Sequence, residues 1–159
     1  MSESPKAQRM LDVQVELFRR FFEESQDIIA LKDKQDPTHT ELLAVGSTLQ
    51  AFYNGIERIL VLCGKAFGDL DASKRQLEAW HQWLLHTMAQ DTNARPALLS
   101  EDLHLRLLEY LKFRHVFRQT YVFELRWSLI IPLLRSLEKA YRQFLSELET
   151  FRGKATFPK

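Results

Sequence analysis

The sequence predicts an all-α fold, an antiparallel bundle of four to five helices. Three observations carry that reading. Leu42, Val45, Leu49, Phe52, Ile56, Ile59 and Cys63 recur at spacings of three and four, a heptad-like seam about three heptads long. The other long segments repeat the same helical spacing, and no stretch has the strict alternation of a half-buried strand. The connections between them are short, which makes sequential helices antiparallel neighbours.

Taken in order, Met1–Pro5 and residues 153–159 read as loose ends of a single domain spanning 1–159. A first helix is expected from Lys6 to Lys32, with Met10, Leu11, Leu17, Phe18, Phe21, Phe22, Ile28 and Ile29 apolar and Arg19, Arg20, Glu23 and Glu24 on a wet face. Pro37 marks a loop over 32–40. The seam helix follows, ended by Gly64 and Gly68. It serves either as the centre of a bundle or as a dimer seam, with Cys63 as a small buried hydrophobe. After a turn at 69–73, a third helix runs from Lys74 to Ala89 on Leu77, Trp80, Leu84 and Met88. A polar loop covers 91–96. Ser100 then caps a fourth helix reaching Tyr121, with Glu101 and Asp102 where carboxylates favour the helix dipole. The last helix spans Arg126–Phe151, and Pro132 either sets its start or kinks its first turns.

Bulk properties exclude several classes. A chain of 159 residues with 45% apolar and 27% charged content is ordinary for a globular domain. The net charge of +1 supplies no global basic field, so any nucleic-acid contact must come from a local patch. One cysteine forbids an internal disulfide and a cysteine metal cluster, and a reduced cytoplasm is the simplest setting. No apolar run reaches the length of a membrane helix, and the five glycines follow no phosphate-loop pattern. His81 and His86 are five apart, which turns them away from the geometry of a helical metal pair. No metal or cofactor is expected.

The fourth helix ends in a polar strip. Arg118 lies about 40° around the helix from Arg114, and Tyr121 about 20° to the other side; His115 and Gln119 form a second row. Two arginines could hold a phosphate by forked hydrogen bonds. A histidine can exchange a proton near neutral pH, and a tyrosine can donate a hydrogen bond or stack on a base. Phe113 and Phe117 would anchor the helix. The alternative is a wet face on which the arginines pair with Glu109 or Glu124.

Leu111–Leu125, LKFRHVFRQTYVFEL, resembles the signature region of the HepT-like branch of the HEPN superfamily. The resemblance takes in GKAFGD at 64–69, WHQWLLHTMA at 80–89 and RPALLSEDL at 95–103. It implies a homodimeric helical bundle acting as a metal-independent endoribonuclease toxin on RNA. It also implies a small nucleotidyltransferase antitoxin of the MntA type. Carried over, Arg114 matches the motif's arginine, His115 the polar residue after it, and Tyr121 the tyrosine that some antitoxins modify with AMP. Gln119 stands where the motif has histidine, and glutamine does not titrate near pH 7. Either His115 takes over proton transfer, or activity is weak, or the chain is a degenerate binding module that pairs with its antitoxin without cleaving RNA.

Overall fold

The computed structural model describes residues 3–76 and 79–159. Its α-helices are α1 (Glu3–Glu24), α2 (Gln26–Ile29), α3 (His39–Ala66), α4 (Trp80–Met88), α5 (Glu101–Gln119) and α6 (Trp127–Lys154). Three-ten turns occupy Ala30–Asp33, Ala72–Gln76 and Val122–Glu124, and no strand occurs among the described residues. The central helix is α3, which packs on α1, α4, α5 and α6. Its seam is fully buried from Val45 to Cys63, the bundle-core alternative of the two open for it. A box caps its start: Glu41 N–H donates to Thr38 Oγ1, and Thr38 N–H to the Glu41 carboxylate.

Paired contacts give the directions. Phe117 sits over Gly46 and Arg114 over Tyr53, and Phe52 meets Tyr110, so α5 runs against α3. Ser100 N–H donates to Glu147, while Tyr110 Oη donates to the Leu133 carbonyl, so α6 runs against α5. A Cβ on Gly46 would collide with the Phe117 ring; that close approach brings the last turn of α5 down onto α3.

Several boundaries differ from expectation, each for a local reason. The first helix is interrupted at Ser25, whose Oγ donates to the Phe21 carbonyl at 2.7 Å. A side chain bonded back one turn competes with the helix ladder, and the chain restarts as α2 and the turn after it. Gly64 does not end α3; it is buried against Leu70 and Met88, where a Cβ would push on the Leu70 side chain. Gly68 does the ending, at φ +71°. The third helix begins at Trp80, not Lys74, because Asp71 accepts from Ser73 N–H and Oγ and holds 72–76 as a turn. Leu77, expected on its apolar face, lies outside the described residues, as do Met1 and Ser2 of the expected loose start. Glu3–Pro5 already belong to α1. Pro132 lies inside α6, five residues past its start. The C-terminal residues are not loose as far as Phe157, whose ring packs on Phe67 and Phe151.

Candidate functional site

The α5 strip is positioned from both ends of the helix. At the start, Ser100 Oγ accepts from Leu103 N–H and itself donates to Glu147, tying the cap to α6. Along the body, Leu103, Leu107, Tyr110, Leu111 and Phe113 are buried. This one-sided burial leaves the other side of the last two turns wet.

Arg114 is the member that reaches inward. Its guanidinium carbon lies 5.9 Å from the centroid of the buried Tyr53 ring, a cation–π contact. Its Nε is buried with no hydrogen-bond partner among the described residues. Buried unpaired donors are rare, because each forfeits its hydration. Arg118, His115 and Gln119 are exposed on the same turns. Neither arginine forms an ion pair with a carboxylate among the described residues. The salt-bridged wet face therefore does not form. Glu124 is engaged elsewhere, accepting from Tyr121 N–H at 2.7 Å.

Tyr121 is not on the arginine row. The helix stops at Gln119; Thr120 is extended (φ −117°, ψ 155°), and its Oγ1 donates to the Val116 carbonyl. That hydroxyl-to-carbonyl bond and the Glu124 box at the next turn end α5 two residues before the tyrosine. Tyr121 instead stacks on Phe123, centroids 5.3 Å apart and planes within 5°. Both rings are open to solvent, at 71% and 75% exposure. The strip thus divides into a helical part, Arg114, His115, Arg118 and Gln119, and an aromatic pair beyond the helix end. Guanidiniums one turn apart, with no ion pair among the described residues, suit an anion, and solvent-facing stacked rings suit a base or an apolar partner surface.

The other candidates fall out of this geometry. Cys63 is buried on the seam, and burial pushes its thiol up to about 12, which removes it as a nucleophile at neutral pH. His86 faces His104 across 6.1 Å, and His81 Nδ1 lies 2.7 Å from a Glu57 carboxylate oxygen. No group of three or more histidines, cysteines and carboxylates gathers as a metal set among the described residues. Sequence reasoning missed Tyr53 and the Glu57–His81 pair. Tyr53 sits between two seam positions and reads as apolar filler; its signal was its spacing of four from Leu49 and three from Ile56. Burial, then the Glu57 charge, raises its phenol well above the ordinary range, with Arg114 opposing.

A family model described as HepT-like protein matches residues 44–155, a span running from α3 through the α5 strip into the last turn of α6 and just past it. No curated protein and no solved structure matches the chain.

Proposed function

The chain belongs to the HepT-like family, and from that premise we propose that it is a HEPN-type toxin of a toxin–antitoxin system, a metal-independent endoribonuclease acting as a homodimer. The observation that carries this reading is Arg114, braced on Tyr53 with an unpaired buried Nε, beside an Arg118 free of any ion pair among the described residues. In RNA the 2′-hydroxyl attacks the adjacent phosphorus, the new O2′–P bond forms, and the P–O5′ bond breaks. The two guanidiniums neutralise charge that builds on the non-bridging oxygens. His115 moves the proton, from the 2′-oxygen or to the departing 5′-oxygen. Gln119 hydrogen-bonds the phosphate without titrating. Tyr121 with Phe123 offers a stacking platform, and its exposed hydroxyl is open to modification by a nucleotidyltransferase antitoxin of the MntA type.

The apolar side chains beside the strip support the homodimer. Val116, Tyr121, Phe123 and Leu129 are all 43% exposed or more, and a second copy would cover them and bring two strips together. Among the described residues no helix is long and apolar enough to cross a membrane; a cytoplasmic site of action belongs to the toxin reading.

The test is incubation of purified protein with RNA in EDTA, alongside Arg114→Ala, Arg114→Lys and His115→Ala. Cleavage lost in all three supports the assignment, since lysine cannot reproduce the guanidinium fork. A second reading is favoured by Gln119 at the motif's histidine position. There the chain binds RNA and its antitoxin without cleaving. Retained RNA binding that weakens in Arg114→Ala, with no cleavage in the unaltered protein, selects it.

A further inference from the structure

A cavity of about 910 Å³ opens beside α3, lined by α1, α3, α4 and the 72–76 turn and by no residue of α5. That size is in the range of small-molecule and cofactor sites. Its walls are apolar, including Met10, Val13, Val61 and Leu62. Its polar lining is Gln14, Glu57, Arg58, Arg75 and His81. Glu57 and His81 meet at 2.7 Å, with Glu57 only 15% and His81 34% exposed at the side chain. The second ring nitrogen of His81 is left for another molecule, while Glu57 also acts on the Tyr53 hydroxyl. Trp80 also lines the cavity, and its indole Nε1 is buried with no partner among the described residues. Arg75 lies against the Trp80 ring at 5.4 Å, which orders its guanidinium. Neither Arg75 nor Arg58, both in the lining, has an ion pair among the described residues.

We propose that this cavity is a ligand site for a nucleoside phosphate, independent of the α5 strip. Two arginines with no ion pair among the described residues call for an anion. The volume is far too large for phosphate alone, and the apolar walls with Trp80 call for a flat apolar body. A long-chain carboxylate would satisfy the walls and the arginines but leave Glu57 and His81 facing methylenes. A heteroaromatic ring bearing N–H donors and ring nitrogens satisfies both. The same chemistry is presented by a free nucleotide and by the phosphorylated 5′ end of an RNA chain.

The probe is AMP, titrated calorimetrically into the full chain. Adenosine, inorganic phosphate and a 5′-phosphorylated, fully 2′-O-methylated hexaribonucleotide serve as comparisons, the last because it cannot undergo 2′-hydroxyl attack. One saturable AMP site is expected, weakened at least about tenfold by Arg58→Ala or Arg75→Ala. Both arginines are exposed, so these variants fold. His81→Phe should weaken AMP and adenosine alike, and adenosine should bind at least about tenfold more weakly than AMP. Competition by the hexamer identifies an RNA end as the source, and its failure to compete identifies the free nucleotide. Absence of saturation with AMP at millimolar concentration overturns the proposal. So does binding that survives the Arg58/Arg75 double substitution, or that disappears only in Arg114→Ala.

Discussion

Tyr53 and Tyr110 offer the same substitution with opposite expected outcomes. Both rings are buried, at 0% and 1% exposure, so tyrosine to phenylalanine removes one oxygen from a packed site in each case. Tyr110 Oη donates to the Leu133 carbonyl at 2.7 Å and lies 3.0 Å from Ser136 Oγ. Tyr53 Oη makes no hydrogen bond of sound geometry among the described residues; Glu57 is the carboxylate that acts on it. Losing a satisfied hydrogen bond costs roughly 0.5–1.5 kcal/mol, whereas an unpaired buried hydroxyl costs roughly 1–3 kcal/mol for as long as it is present. Phenylalanine at 53 keeps a ring under Arg114 and loses only part of the cation–π attraction. Tyr53→Phe should therefore stabilise the protein by about 1 kcal/mol, and Tyr110→Phe should destabilise it by a similar amount. For a chain of this size each kcal/mol moves Tm by about 2–4 °C. Urea unfolding at constant m is the assay. If Tyr53→Phe loses as much as Tyr110→Phe, the Tyr53 hydroxyl is bonded in solution. Arg114 would then rest on a satisfied buried hydroxyl.

Arg95→Met should be the most damaging single change, at roughly 3–5 kcal/mol by thermal unfolding. Its buried guanidinium joins Asp69 at 2.6 Å to the carbonyls of Thr87, Gln90 and Pro96, and removing it takes that donor from all four, leaving only Thr87 with another among the described residues, Gln90 N–H. Gly46→Ala should cost roughly 1–2 kcal/mol in urea unfolding, because overpacking against Phe117 outweighs the gain of about 1 kcal/mol for alanine in a helix. The same variant should cleave RNA less well, since it lifts the turn carrying Arg114 and Arg118. The Lys34 hydrogen bond, then the Thr38 N–H, lower the Glu41 pKa from 4.5 to about 2. The stabilisation it gives is present above about pH 4.5 and is lost as pH falls toward 2. Acid titration of Tm should therefore be flatter over that window in Glu41→Gln.

The helices were legible where one signal acted alone. The α3 seam and the Ser100 cap follow from spacing and capping chemistry, and both stand where the sequence puts them. Boundaries were lost where a side chain competed with the backbone ladder. Ser25 breaks the first helix through a bond to Phe21, Asp71 holds a turn where a helix was expected, and Thr120 ends α5 before Tyr121. Such bonds depend on one rotamer and leave no periodic trace. The strip was legible in composition, but the neighbour that defines Arg114 was not. Tyr53 is sixty-one positions away, and only the antiparallel packing of α3 on α5, set by Gly46 against Phe117, brings it beneath the guanidinium. Glu57 and His81 are hidden for the same reason, on helices that meet only in the folded bundle.

The phosphodiester chemistry proposed for the end of α5 depends on its guanidiniums. RNA cleavage by the purified protein in EDTA, measured beside Arg114→Ala and Arg118→Ala, tests it directly. Cleavage without metal is expected, reduced by about 10²-fold or more when either guanidinium is removed. Cleavage that is equal in the three proteins, or absent from the unaltered one, would contradict it.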